Sequence, residues 1–202
     1  MVDMASGAVL LDKNSRRKIP PASMAKMMTT YVAFDLITRG KLKPEQKFIV
    51  RPEIWKKWNN TGSTMFLKPN EKVSVQNLLH GVVTLSGNDA AVVLAEGIAG
   101  SEAEFVNQMN ATARRIGMKD SQFGTATGWP DEGKTLTTAR DLALLGARTI
   151  QDFPALYKQY DGQSAFRWNN ITQPNRNPIL GKIAGADGIK TGHTDEAGYC
   201  FT

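Results

Sequence analysis

Between Met24 and Leu36 the apolar residues Met24, Met27, Met28, Tyr31, Val32, Phe34 and Leu36 fall on nearly every face of a helix. A helix that is apolar almost all round has to be central and buried, so other elements must be packed about it. The spacing predicts that it begins at Ser23, after Pro20-Pro21, whose fixed φ gives an extended entry.

With 202 residues, such a body is one domain or two lobes in one compact unit, able to bury roughly 70% of its unfolded surface without a staple. Hydrophobic residues at 41% and charged residues at 22% describe a globular chain and exclude disordered and collagenous classes. The longest nearly apolar run, His80 to Ala99, is interrupted by Ser86, Asn88 and Asp89, short of the about 20 uninterrupted residues of a bilayer span.

Lys plus Arg number 25 against 19 Asp plus Glu, a net charge of +6, but the basic groups are scattered among acids. No basic stripe interleaved with aromatics is present, so a generally positive surface is expected and nucleic acid is not. The single Cys200, in an apolar Gly-Tyr-Cys-Phe setting, rules out an internal disulfide and suits a small buried hydrophobe. Two histidines, His80 and His193, almost exclude metal sites of the two-His or three-His kinds, and no cofactor is expected. No signal peptide pattern occurs at Met1, which reads as a cytoplasmic chain or one cut from something longer.

Val2 to Lys13 reads as a hairpin at a sheet edge. The stretch from Gly40 to Glu71, broken by prolines and Gly62, reads as irregular or short-helical. Helices are predicted at Val73–His80 and Ala90–Ile98, separated by Ser86-Gly87-Asn88. Another is expected from the Ser101 capping box to Ile116 with Gly117 as its stop, and one from Thr138 to about Ile150. After Tyr160 short strands return, ending in two joined at Asp195-Glu196. Strands at both ends and helices between them predict an α/β body with an all-helical lobe inserted at about residues 60–160.

Chemistry concentrates in three places. In Ser23-Met24-Ala25-Lys26 the first and last residues share a helix face, so the ammonium can reach the hydroxyl. The lysine serves as a base only when neutral, which needs burial or a like charge such as Lys190 nearby. Ser15-Arg16-Arg17-Lys18 has the same spacing but lies in a polar run that cannot bury a lysine. Ser86-Gly87-Asn88, in a break between helices, offers a hydroxyl to relay a proton and an amide to hold a substrate, though taken alone it reads first as a capping turn. Lys190-Thr191-Gly192, on a predicted strand, presents two groups suited to a carboxylate, with Gly192 leaving room for a substrate along the strand edge.

Taken together, S-x-x-K, S-x-N and K-T-G in this order resemble the signature of penicillin-binding proteins and class A β-lactamases. Pro21-Ala22-Ser23-Met24-Ala25-Lys26, Met65 to Pro69, Ser86 to Asp89, Thr138 to Asp141, Asn175-Arg176-Asn177 and Asp187 to His193 narrow the resemblance to the D-alanyl-D-alanine carboxypeptidases, the low-molecular-mass penicillin-binding proteins.

The resemblance implies a β-lactamase/transpeptidase-like fold: one catalytic domain over residues 1–202, with an incomplete antiparallel sheet flanked by helices plus the helical lobe. It implies a serine DD-peptidase acting on peptidoglycan stem pentapeptides through an acyl-serine and acylated by β-lactams. Ser23 would be nucleophile, Lys26 base and Ser86 proton relay. Asn88, Lys190, Thr191 and Gly192 would bind substrate, the backbone N–H groups of Ser23 and His193 would form an oxyanion hole, and Arg176 would assist with the substrate carboxylate. The expected location is the periplasm or cell envelope.

Compared with the family pattern, the signal peptide, later strands, the β-rich second domain and the membrane anchor are not in this chain. An exposed sheet edge and a possible dimer are therefore expected. Cross-link endopeptidase activity is a near variant of the same chemistry. A serine β-lactamase needs a deacylating carboxylate, for which Asp131 and Glu132 stand nearest, and a non-catalytic penicillin- or peptidoglycan-binding fragment is a third reading.

Overall fold

The computed structural model describes residues 1–202. A 3₁₀ turn, Ala22–Ala25, runs into helix α1, Lys26–Thr38, whose residues from Lys26 to Phe34 are all buried. Helices α3 (Val75–Val83), α4 (Asn88–Ala99), α5 (Glu102–Ile116) and α6 (Ala139–Asp152) all pack against α1. This arrangement explains the absence of a polar face: every side of α1 meets another helix. Met28, Ala33 and Phe34 are completely inaccessible. Burying a side chain of the size of Met28 or Phe34 is worth about 1.5–3 kcal/mol.

Local signals set the helix ends. Ser74 Oγ accepts from Asn77 N at 3.3 Å, so Val73 belongs to a strand and α3 starts two residues later than its apolar pattern suggests. Ser101 Oγ accepts from Glu104 N at 3.2 Å, and Gly117, at φ 93°, ends α5 as expected. Thr138 caps α6 through Asp141 N at 3.1 Å. The one helix that the sequence reading missed is α7, Pro154–Tyr160: Pro154 starts it at the first helical position, where a missing N–H costs nothing.

Antiparallel pairing is present as three two-stranded sheets. Strands β1 (Lys47–Ile49) and β2 (Lys72–Ser74) pair Phe48 with Val73, and the short helix α2, Pro52–Trp58, lies between them in sequence. Strands β3 (Ala165–Trp168) and β4 (Ile171–Pro174) form a hairpin. Strands β5 (Thr191–Thr194) and β6 (Gly198–Phe201) pair His193 with Tyr199, and Thr202 continues the ladder against Ile189 and Lys190.

The expected hairpin at Val2–Lys13 is present in short form: Val2 bridges Val9, Asp3 N donates to Ala8 O at 2.9 Å and Leu10 N to Met1 O at 2.8 Å, with Val9, Leu10 and Leu11 exposed. Its turn is held by the Asp3 carboxylate, which accepts from the backbone of Ala5 and Ser6 and from Ser6 Oγ. The segment has no neighbouring strand to extend the pairing. No helix is long and apolar enough to cross a membrane.

Candidate active site

The 3₁₀ turn that runs into α1 places the side chains of Ser23 and Lys26 together, three residues apart. Lys26 Nζ lies 2.9 Å from Ser23 Oγ, 2.8 Å from Asn88 Oδ1 and 2.8 Å from the carbonyl oxygen of Thr127. Lys26 is wholly inaccessible to solvent, whereas Ser23 is only partly buried. Two of the three partners, an amide oxygen and a backbone carbonyl, can only accept. A neutral amine has two N–H groups and one lone pair, so those acceptors take both donors and direct the lone pair at the Ser23 hydroxyl.

Burial, reinforced by the charge of Lys190, pushes Lys26 well below the ordinary lysine range, and Asp89 partly opposes the shift. The Asp89 carboxylate is held by the backbone N–H groups of Met65, Leu67 and Ala90. It thereby ties the start of α4 to the Met65–Leu67 segment. Ser15 and Lys18, the competing pair, lie in an irregular segment with Lys18 exposed and no bond between their side chains.

The break between α3 and α4 turns sharply at Ser86, whose φ of 61° is in the left-handed region. That turn aims Ser86 Oγ at Lys190 Nζ, 2.9 Å away, and Asn88 at Lys26. Asn88 N also donates to the carbonyl of Ser63 at 2.7 Å, which fixes where the helix begins. Lys190 Nζ further donates to Thr191 O at 2.8 Å. Burial and the nearby Arg176 charge bring Lys190 down to about 7.

Ser23, Lys26, Asn88, Ser86 and Lys190 thus form two hydrogen-bonded groups, one on each lysine, and the mutual repulsion of the lysines couples them. Thr191 is partly buried and Gly192 buried on β5, which packs against the 3₁₀ turn carrying Ser23.

Gly192 has a packing reason as well as the one read in the sequence. A Cβ there would meet Pro21 O at 3.0 Å and Ser23 N at 3.2 Å, so the glycine lets the strand approach the backbone of the serine turn. Gly128 does the same from the other side, since its Cβ would stand 1.9 Å from Ala22 O. His193 is exposed and its ring stacks on Tyr199 with centroids 4.2 Å apart. Arg176 is exposed; its backbone N–H donates to Thr84 O at 3.3 Å and its guanidinium to Gln173 Oε1 at 3.1 Å. Thr127, Gly128 and the clamp on Asp89 were not found from the sequence, because a backbone carbonyl carries no signal and a glycine's neighbour is a matter of folding.

Asp131 is committed elsewhere: its carboxylate accepts from Thr135 N at 3.0 Å and Thr135 Oγ1 at 2.5 Å. Glu132 is an exposed residue at a φ of 61°. No group of three or more His, Cys, Asp or Glu could hold a metal ion.

Comparison with known proteins points the same way. The profile of the D-alanyl-D-alanine carboxypeptidase family, peptidase S11, matches residues 1–202. The chain is 40% identical over 200 residues to the D-alanyl-D-alanine carboxypeptidase DacA of Haemophilus influenzae, a match covering 98% of this chain and 50% of that protein. Penicillin binding protein 5 from Haemophilus influenzae superposes with a TM-score of 0.91 at 41% identity, over 96% of this chain and 56% of the other. Penicillin-Binding Protein D2 from Listeria monocytogenes, solved in an ampicillin-bound form, superposes with a TM-score of 0.85 at 29% identity, over 99% and 80%. The chain spans about half the length of the curated carboxypeptidases it matches.

Proposed function

The chain belongs to the D-alanyl-D-alanine carboxypeptidase family, and from that premise we propose that it is a serine-type D-Ala-D-Ala carboxypeptidase of the bacterial cell envelope. Its substrate is the stem pentapeptide of peptidoglycan and its inhibitors are β-lactams. The domain organisation that goes with this reading is one catalytic domain over residues 1–202 with a helical insertion at about 60–160. The observation that carries the reading is the Lys26 amine, fully buried with Ser23 Oγ 2.9 Å away and its other two partners obligate acceptors.

Ser23 Oγ attacks the carbonyl carbon of the D-Ala-D-Ala peptide bond while its proton passes to the neutral Lys26 amine. The developing oxyanion is received by the backbone N–H groups of Ser23 and His193, a contribution of several kcal/mol in the transition state. As the C–N bond breaks, the leaving D-alanine amine takes a proton from the lysine pair through Ser86, whose Oγ is 2.9 Å from Lys190 Nζ. Asn88 orients the peptide. Lys190 and Thr191 bind the terminal carboxylate, and Arg176 adds positive charge beside them. Water then cleaves the acyl ester and regenerates Ser23.

The commitment of Asp131 to Thr135 leaves a dedicated deacylating base without support, which favours slow deacylation of a β-lactam over β-lactamase turnover. The ampicillin-bound Listeria relative supports β-lactams as ligands of this fold.

The test is intact-mass analysis after incubation with benzylpenicillin, together with D-alanine release from diacetyl-Lys-D-Ala-D-Ala. A durable adduct that is lost in Ser23→Ala, with D-alanine release by the parent, supports the proposal. Adduct on the Ser23→Ala variant places the nucleophile elsewhere, and rapid adduct turnover favours a β-lactamase. Absence of both adduct and release in a folded parent leaves only a binding fragment.

A further inference from the structure

Beside Lys190 is a small cavity about the size of one water molecule, lined by Met27, Thr30, Thr149, Ile189, Lys190 and Asp161 among others. Asp161 follows the last turn of α7 and is only 7% exposed, and its Oδ2 has no hydrogen-bond partner. A buried carboxylate oxygen without a partner costs free energy, so its persistence calls for an explanation.

The fold holds that carboxylate in place by a tight junction. Tyr157 OH, on α7, donates to Asp187 Oδ1 at 3.0 Å. A Cβ on Gly188 would stand 2.6 Å from Tyr157 OH, and one on Gly162 would stand 3.0 Å from Asp187 O. Asn177 Nδ2 donates to Gly188 O at 3.1 Å. Two glycines and two side-chain bonds therefore press the end of α7 onto the segment that leads directly into Lys190. Lys190 has three N–H groups when charged, and Ser86 and Thr191 take two, which leaves one for the cavity side.

We propose that Asp161 is a positioning residue for Lys190: its carboxylate, across the shared cavity, holds the proton on the Lys190 ammonium that the relay and the substrate carboxylate require. This deepens the carboxypeptidase reading and rests on it for the role of Lys190.

The charges facing the pair come from several elements. Lys26 on α1 and Arg176 after β4 oppose a proton on Lys190, and Asp187 opposes ionisation of Asp161. Tyr157 and Tyr160 on α7 stay neutral because burial pushes both phenols upward, and His80 on α3, ring to ring with Tyr160, is pushed toward its neutral form by burial. Burial and Asp187 hold Asp161 up at about 8, while Lys190 lies at about 7, so the two titrate over the same interval as one coupled pair. As pH rises, ionisation of Asp161 favours the charged form of Lys190 and extends it to higher pH.

The experiment is the pH dependence of Ser23 acylation by a fluorescent penicillin in the parent, Asp161→Asn and Asp161→Glu, with thermal unfolding of each. Asparagine keeps the shape and removes the charge, and glutamate keeps the charge, its extra methylene fitting the cavity. The alkaline limb should move to lower pH by about one unit in Asp161→Asn, an about tenfold slower acylation above the limb, and should stay near the parent in Asp161→Glu. Superimposable limbs for parent and Asp161→Asn, or equal shifts in the two variants, overturn the proposal.

The parent gives a second measurement independent of folding of the variants. The carbon-13 resonances of the Asp161 carboxyl and the Lys190 side chain should titrate together near neutrality. An Asp161 carboxyl that stays protonated throughout the interval in which Lys190 loses its proton overturns the inference even where acylation is normal. Failure of the parent to acylate at Ser23 instead refutes the carboxypeptidase reading and leaves this titration to decide the pairing.

Discussion

Replacing Asn88 by aspartate tests the assignment of Lys26 as base through a change of one atom pair. Asn88 Oδ1 is 2.8 Å from Lys26 Nζ, and both side chains are buried. A carboxylate in that position attracts an ammonium by about 6 kcal/mol at an effective dielectric constant of about 20. Desolvation of the new carboxylate offsets several kcal/mol of this, leaving a rise in the Lys26 pKa of about 1–3 units.

The base must be neutral, so acylation grows as pH rises through the Lys26 pKa, and raising that pKa moves the acid limb upward. On the limb, at fixed pH, acylation slows by about tenfold for each unit. The rate of Asn88→Asp should be recovered when pH is raised by the size of the shift.

Stopped-flow acylation by a fluorescent penicillin across pH gives both limb and plateau. Asn88→Ala is the control, because it removes the amide without adding charge and should lower the plateau without raising the limb. An Asn88→Asp limb that coincides with the parent's, or lies below it, refutes Lys26 as the base.

Lys26 should also leave a mark on stability. Its folded pKa is depressed well below the unfolded value of 10.5, so between the two the unfolded chain binds more protons and stability rises with pH. Lys26→Met removes that dependence, so its melting temperature should exceed the parent's most at the acid end of this window, the gap narrowing toward pH 10.5; a gap constant with pH refutes a neutral Lys26. Gly128→Ala should be severe, by more than the about 1–3 kcal/mol of ordinary overpacking, because its Cβ would lie 1.9 Å from the Ala22 carbonyl oxygen and its φ is 72°. Denaturant unfolding measures this, and a loss under about 1 kcal/mol refutes the clash. Tyr199, 92% exposed beside Phe201 on the edge of β6, should promote self-association. Light scattering at increasing concentration should show less in Tyr199→Lys than in the parent, and a monomeric parent at all concentrations rules it out.

The central helix was legible because its signal is global: residues from Met24 to Phe34 are apolar on all sides, and only a helix surrounded by others can satisfy that. Capping residues placed most helix ends, since Ser101, Gly117 and Thr138 act within a few residues of themselves. Where a local rule had two meanings the reading slipped. A proline just past a helix suits a stop, yet Pro154 opens α7, and the apolar spacing that includes Val73 in a helix runs past the strand residue that precedes the Ser74 cap. The Val2–Lys13 hairpin stays short for another reason: Val2 bridges Val9 and Leu10 N donates to Met1 O, but no third strand adds to the pair, so its apolar residues remain exposed.

Within the candidate site, legibility follows the range of the interaction. Ser23 and Lys26 are one helical turn apart, so spacing alone joins them. Ser86, Asn88 and Lys190 come from distant segments, and order in the chain suggested their company without giving a distance; the folded chain brings them to within hydrogen-bonding reach of the two lysines.

Asp161 left no mark, since an aspartate after a helix that was itself unseen reads as an ordinary turn residue. Its environment, a buried oxygen facing Lys190 across a cavity, exists only once α7 is pressed onto Gly188. The two lysines also show why one motif could not be judged alone. Each has its proton affinity lowered by burial, Lys190 adds to the lowering of Lys26, and Asp161 counters the lowering of Lys190. The protonation of the Ser23 partner is therefore set from more than one direction, through residues that S-x-x-K does not contain.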